Sequence, residues 1–249
     1  MLLKPSVVSG ISRDSIVSAG CRIPFASKVK SLGATLDSAL STKQQINTVC
    51  RACYFHIRQI SKIRKFLSQE SVVKLVSCFV LSRLDYCNSL FADLPTESIN
   101  KLENVQNCAA RLDLGIRKGE HITPALKNLH WLPLSKRIHY KLSLLCYKSF
   151  NSPLPSYLSD LLSPYTVSRI LRSTKDITRL SVPQYRLEHY GKRAFSRSAL
   201  SVWNPLPAVL RETNTTTLSK LTFSAPSRPC AQPERIEWSR LRTQVYAFV

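Results

Sequence analysis

Four kinds of side chain in this sequence could carry chemistry: thiols, imidazoles, a small set of carboxylates and a large set of cations. Cys50 and Cys53 stand at the CxxC spacing of redox and zinc sites, but no second pair follows at zinc-finger spacing and no His pair lies nearby. The other cysteines, at 21, 78, 87, 108, 146 and 230, lie mostly in apolar stretches such as Ser77-Cys78-Phe79-Val80. A free thiol there behaves as a small hydrophobe, so the set reads as reduced and the protein as intracellular, nuclear or cytoplasmic. His121, His130 and His139 recur at intervals of nine, which puts successive ones on opposite helical faces. They read as capping, stacking or solvent residues. Ser, His and Asp are present without a nucleophile elbow. No catalytic residue, metal or cofactor is assigned on these patterns.

The cations are the unusual feature. Lys and Arg number 36 against 15 Asp and Glu, a net charge of +21 spread along 249 residues, so a polyanionic partner is expected, with nucleic acid ahead of an acidic membrane surface. The same scarcity of acids argues against a metal-dependent nuclease or polymerase centre, which needs convergent carboxylates. From residue 42 the period is helical. Ile46, Cys50, Cys53, Ile57 and Ile60 share an apolar stripe, while Arg51, Arg58, Lys62 and Lys65 form a cationic one centred about 140° away. No acid lies between Asp37 and Glu70, although a solvated face normally mixes signs. Phosphate contact is the reading that follows. A second basic stripe, Arg137, Lys141 and Lys148, recurs on a helix expected over 134–150.

These residues need a scaffold. Residues 15–37 read as one β-hairpin, Ile16, Val17, Cys21, Ile23 and Phe25 alternating before a second strand over 29–36, and a lone hairpin needs outside support. Thr42 is the expected N-cap of the first helix. A second helix is expected over 69–91 with Val72, Val76, Phe79, Val80, Leu84 and Cys87 inward. A third follows Thr96, burying Ile99, Leu102, Val105, Cys108, Ala109 and Leu112 and leaving through 115–119. Short connections between these helices make a bundle. A short helix to about Leu129 is broken by Trp131-Leu132-Pro133; a brief one sits between 152–155 and 163–164; residues 166–190 read as irregular, 192–203 as a last helix and 224–249 as a weakly ordered tail. The fold class is mainly α, a helical bundle preceded by a β-hairpin, with an irregular C-terminal region. No apolar run is long enough to span a membrane, because Lys74 and Arg83 interrupt the best stretch, and no membrane partner is assigned. The N-terminus lacks a signal-peptide core, though its Ser-rich, acid-poor start shares the character of a mitochondrial presequence.

Seven strings occur in order: Lys30-Ser31-Leu32-Gly33-Ala34-Thr35-Leu36-Asp37; Ser82-Arg83-Leu84-Asp85-Tyr86-Cys87-Asn88-Ser89-Leu90; Val105-Gln106-Asn107-Cys108-Ala109-Ala110-Arg111; His121-Ile122-Thr123-Pro124 with Leu129-His130-Trp131-Leu132-Pro133; Pro155-Ser156-Tyr157-Leu158-Ser159-Asp160-Leu161-Leu162; Arg193-Ala194-Phe195-Ser196; and Trp203-Asn204-Pro205-Leu206-Pro207. In order and spacing this resembles the C-terminal part of reverse transcriptases of LINE-type non-LTR retrotransposons, of the jockey-like and related clades, over roughly residues 5–223. The resemblance implies a remnant palm-edge, primer-grip-like hairpin over 1–40, a thumb-like bundle over 41–152, a connection region over 153–223 and a tail over 224–249. It also implies that the fingers, the catalytic palm and an endonuclease would precede Met1.

Phe91-Ala92-Asp93-Leu94 is superficially similar to the catalytic turn of that family, but Leu94 stands where two-metal chemistry needs a second carboxylate. The expectation is therefore a transposable-element fragment of an RNA-directed DNA polymerase that is not itself an enzyme. It would retain sequence-nonspecific binding to RNA or RNA/DNA duplex backbones through Arg51, Arg58, Lys62, Lys65, Arg137, Lys141 and Lys148. Two alternatives stand beside it: a relic open reading frame without function, or a helper subunit docking on a separately encoded palm domain.

Overall fold

Two pairs ending in glycine shape the start of the chain. In the computed structural model, which describes residues 2–3, 15–151, 156–165, 179–207 and Arg211, Ala19-Gly20 have φ of 50° and 78° and Leu32-Gly33 of 46° and 83°. Positive φ at both central residues is the pattern of the type I′ turn, whose twist matches that of its flanking strands. Each pair closes its own hairpin. Strand β2 (Ser15–Ser18) pairs antiparallel with β3 (Cys21–Ala26), and β4 (Lys28–Ser31) with β5 (Ala34–Asp37). The backbone of β1 (Leu2–Leu3) joins β3 in parallel at Phe25 and Ala26, just past Pro24, which has no N–H to give a ladder. The extended stretch expected as a single hairpin is thus two in succession, because Gly20 turns the chain and does not merely punctuate a strand.

Asp37 ties the second hairpin to the first helix. Its carboxylate accepts from the Ser41 hydroxyl at 2.6 Å and from the Thr42 N–H at 3.2 Å. Burial pushes its pKa up, but the Ser41 hydroxyl and the backbone N–H groups of Thr42, Asp37 and Ser41 outweigh it and hold the carboxyl below its ordinary value. Helix α1 (Lys43–Ile63) starts where expected, yet Thr42 is no side-chain cap: it sits at φ 55° and its hydroxyl donates to the Ser41 carbonyl. The chain divides into two units, one of residues 1–91 and 95–122, the other of 92–94 and 123–249. The division falls within the stretch 41–152 that the resemblance implies as one thumb-like bundle.

The first unit is a helical bundle, α1 packing on α4 (Thr96–Leu114) and α2 (Gln69–Val76) packing on both. Ile46, Cys53 and Ile60 of α1, Val72 and Val76 of α2, and Leu102, Val105 and Ala109 of α4 are buried, each large side chain contributing about 1.5–3 kcal/mol. The exposed Lys74–Glu70 pair on α2, by contrast, contributes a few tenths of a kcal/mol, about 0.3–0.5. Burial therefore holds the bundle. Ser68 caps α2 by accepting from the Ser71 N–H at 3.3 Å.

The helix expected over 69–91 is interrupted. A π-turn over Ser77–Leu81 separates α2 from α3 (Ser82–Asp85), the Ser82 N–H reaching back to the Ser77 carbonyl, and Asn88–Phe91 form a separate 3-10 turn after Cys87 at φ 53°. The wider turn rotates the inward stripe. Val80, Leu81 and Leu84 are buried, while Phe79, expected inside, is 42% exposed.

The C-terminus of α4 is closed from the α1–α2 corner. The Arg64 guanidinium donates to the Leu112 carbonyl at 3.2 Å and the Asp113 carbonyl at 3.1 Å, and Gln69 donates to the Asp113 carbonyl at 2.7 Å and its carboxylate at 3.0 Å. Last-turn carbonyls have no partner within a helix, and a cation there also opposes the negative end of the dipole. Gly115, at φ 68°, then ends the helix as expected. Asp113 is fully buried, and that burial pushes its pKa up to about 6 despite the nearby Arg64 charge.

The second unit is built on α6 (Leu134–Asn151), which packs on α7 (Ser156–Ser159) and α9 (Phe195–Trp203). Ahead of α6, α5 (Ile122–Asn128) ends with His130 at φ 54° and the Trp131 N–H on the Leu126 carbonyl at 2.8 Å. The last helix expected over 192–203 begins at Phe195, after the single turn α8 (Glu188–Gly191). Asn204 follows α9, and its side-chain amide pairs with the backbone of Leu180. Its amide accepts from the Leu180 N–H at 3.1 Å and donates to the Leu180 carbonyl at 2.9 Å. Residues 166–178 of the stretch expected to be irregular over 166–190, and the tail expected over 224–249, lie outside the described residues.

The two carboxylates have opposite pH signatures. Asp113, with its pKa raised to about 6, makes stability fall as pH rises from about 4 through 6, because the native state binds the extra proton. Asp113→Asn is expected to melt a few degrees above the parent near neutral pH, a gain of about 1–3 kcal/mol that vanishes below about pH 4. Asp37, with its pKa lowered, stabilises at neutral pH and loses that contribution as pH falls through its lowered value. Asp37→Asn should therefore melt below the parent at neutral pH and converge with it in acid. Melting curves across pH that run parallel for parent and variants would contradict both assignments.

Candidate nucleic-acid interface

Helix α1 separates its residues by charge. Its buried side faces α4, and its outer face exposes Arg51, Arg58 and Lys62, none of which takes part in an ion pair among the described residues. At 1.5 Å rise per residue these lie about 10 and 6 Å apart along the axis, within the reach of successive phosphates on one strand. Lys65 does not continue the helical stripe. Helix α1 ends at Ile63, so Lys65 sits in the 3-10 turn Arg64–Phe66, where its ammonium lies 4.8 Å from the centre of the Phe66 ring. It is exposed, but its direction is set by that turn and not by the α period.

Charge reading alone overlooked the aromatics. Phe55 lies four residues after Arg51 and three before Arg58, hence on the same face, and is 57% exposed; Phe66 is 78% exposed. The available signal was a large apolar residue inside a polar stripe. Beside them the His56 ring stacks on Phe79 at 5.0 Å and meets the edge of Phe55 at 5.4 Å. Burial, and then the nearby Arg83 cation, lower the His56 pKa, so the imidazole adds no charge to this face at neutral pH.

Arg137, Lys141 and Lys148 share one side of α6, in the second unit, but all three are half-buried and not on an outer stripe. The reason is the breadth of packing. Leu134, Ile138, Leu142, Ser143, Leu144, Cys146 and Tyr147 bury positions all round the helix, leaving the long cationic stems lying along covered surface.

The other reactive types fall apart in space. His121, His130 and His139 are exposed, and no group of three or more His, Cys, Asp or Glu is placed to hold a metal among the described residues. Burial pushes the Cys53 and Cys146 thiols up to about 12; it also raises Cys50, against the opposing charge of Lys101. That is the reverse of a thiol activated for exchange or metal binding. Asp93 is exposed at φ 52°, next to the half-buried Leu94, while Phe91 and Ala92 are buried. Trp131 and Trp203 are buried too. No helix among the described residues is long and apolar enough to cross a membrane.

Compared with family models, with curated proteins and with solved structures, the chain finds no match.

The seven described cysteines are free thiols. A disulfide-exchange reagent added to native protein is expected to modify the exposed Cys21 and Cys78 first and to reach Cys53 and Cys146 only on unfolding. Stoichiometric zinc lost on joint Cys50→Ser and Cys53→Ser substitution would reverse this reading.

Proposed function

We propose that the chain is a thumb-like and connecting region of a LINE-type reverse transcriptase that binds RNA or RNA/DNA duplex through its backbone phosphates. The observation that carries the binding role is the outer face of α1, where Arg51, Arg58 and Lys62, followed by Lys65, stand exposed in a stretch free of acids from residue 38 to 69. Seven ordered sequence strings support the origin. The mechanism is clamping: each cation that meets a phosphate releases condensed counterions, giving affinity without base readout. Arg137, Lys141 and Lys148 rank below the α1 set because they are half-buried. No catalysis is assigned, since Asp93 is followed by Leu94 and not by a second carboxylate.

The hairpins favour a second reading, a helper role on a separately encoded palm. Among the strand side chains described, Ala34 alone is buried, and Leu32 at the tip of the second hairpin is 89% exposed. Tyr86 pins that tip through a hydrogen bond to the Leu32 carbonyl.

With about six phosphates neutralised, affinity for duplex is expected to fall about a thousandfold between 50 and 200 mM salt, with little dependence on sequence. Replacing Arg51, Arg58, Lys62 and Lys65 by Gln should flatten the salt slope by about three to four. Arg169, Arg172, Lys175 and Arg179 provide the charge-matched control; the first three lie outside the described residues. Equal losses in both quadruple variants would make binding a diffuse effect of net charge and remove the α1 site. Supplied with Mg²⁺, primed template and nucleotides, the chain should extend no primer, and extension abolished by Asp93→Asn would overturn that assignment.

A further inference from the structure

Phosphate clamping explains the cations of α1 but gives no work to the aromatic ring set among them. Phe55 is exposed over more than half its surface although α1 has a buried side available to apolar residues. It stands between Arg51 and Arg58, with Lys62 one turn beyond, and Phe66 is left open at the end of the same cationic run. A bare aromatic flanked by unpaired guanidinium groups is what an unstacked base needs: a π-face to lie on and a cation for the phosphate on each side. A duplex offers no such base, because its rings are already stacked on one another. From this juxtaposition we infer that the α1 face takes an unpaired strand, with a base stacked on Phe55 and the flanking phosphates on Arg51 and Arg58. The inference rests on the nucleic-acid reading above and adds to it an unpaired strand as the ligand of the aromatic on this face.

The charge around the ring agrees with that occupant. The sequence from residue 38 to 69 contains no carboxylate to repel the strand, and His56, at the edge of Phe55, is held neutral by burial and by Arg83. Spacing agrees as well. The seven steps from Arg51 to Arg58 span about 10 Å of axis, room for one nucleotide laid across the ring.

The test uses the full chain, a fluorescein-labelled oligouridine as the unpaired strand and a blunt RNA duplex of equal length, both titrated by anisotropy at several salt concentrations. Phe55→Leu keeps an exposed apolar side chain and removes the aromatic face, and an unchanged melting temperature would show that it folds. The expected result is a loss of oligouridine affinity of about tenfold or more, within the range for one stacked base, with the salt slope and the duplex affinity unchanged. Phe66→Leu reports whether the second ring contributes in the same way. Parent-like oligouridine binding by Phe55→Leu overturns the stacking site while leaving phosphate clamping intact, provided the Arg51, Arg58, Lys62 and Lys65 quadruple variant still loses affinity. An equal loss on duplex and oligouridine also overturns it, since the ring would then act on the whole face. If the quadruple variant and its control lose alike, the α1 phosphate site on which this inference rests fails instead.

Discussion

Arg64 is the residue on which the arrangement of the first unit turns. Its guanidinium leaves the corner after α1 and reaches two carbonyls at the end of α4, so one side chain ties the end of α1 to the end of α4. The planar fork matters here: Nε and a terminal nitrogen serve different carbonyls at once, which a lysine ammonium would do with far less geometric definition. Gln69, one residue into the next helix, completes the same closure. With the corner held against α4, the rotation of α1 about its own axis is no longer free. Ile46, Cys53 and Ile60 go inward and Arg51, Phe55, Arg58 and Lys62 outward.

Such a surface is costly to the folded state. A net charge of +21 repels itself in the compact chain, and the exposed ion pairs described, Lys74–Glu70 and Lys192–Glu188, are too weak to offset it. A bound polyanion would relieve that repulsion directly, coupling stability to occupancy. The buried Asp113 works in the same balance on a smaller scale, a carboxylate kept at a helix C-terminus, where the dipole opposes it, and tolerated through Arg64 and Gln69.

Helix existence was legible in the sequence wherever the apolar period ran undisturbed. Helices α4 and α6 lie within a residue or so of their expected limits because Thr96, Gly115 and Pro133 mark them chemically. What periodicity missed are local departures from regular geometry. The second hairpin turn was hidden because Leu32 is an improbable residue at positive φ, and the π-turn because a wider helical turn leaves no signature in residue types. Of the candidate site, the charges and their exposure on α1 were readable, whereas the half-burial of Arg137, Lys141 and Lys148 depended on what packs against α6. Long-range side-chain clamps such as Arg64 to Leu112 and Asn204 to Leu180 join residues 48 and 24 positions apart, and no local pattern announces them.

The π-turn over Ser77–Leu81 also records how this helix can tolerate changes in length. An i to i+5 turn holds one residue more than an α-turn, so it is the form an insertion takes when both flanking segments keep their packing. The chain passes directly from α2 through this turn into α3, and Phe79 within the turn is left exposed beside His56. A gene lineage could shed that residue by a single-codon deletion, which would return the segment to the α period. Both flanking segments would then keep their register with the core, because the wider turn confines the extra residue to itself. Codon number is thus less constrained at this turn than in the regular α segments on either side, where losing one residue would rotate all that follows by about 100°.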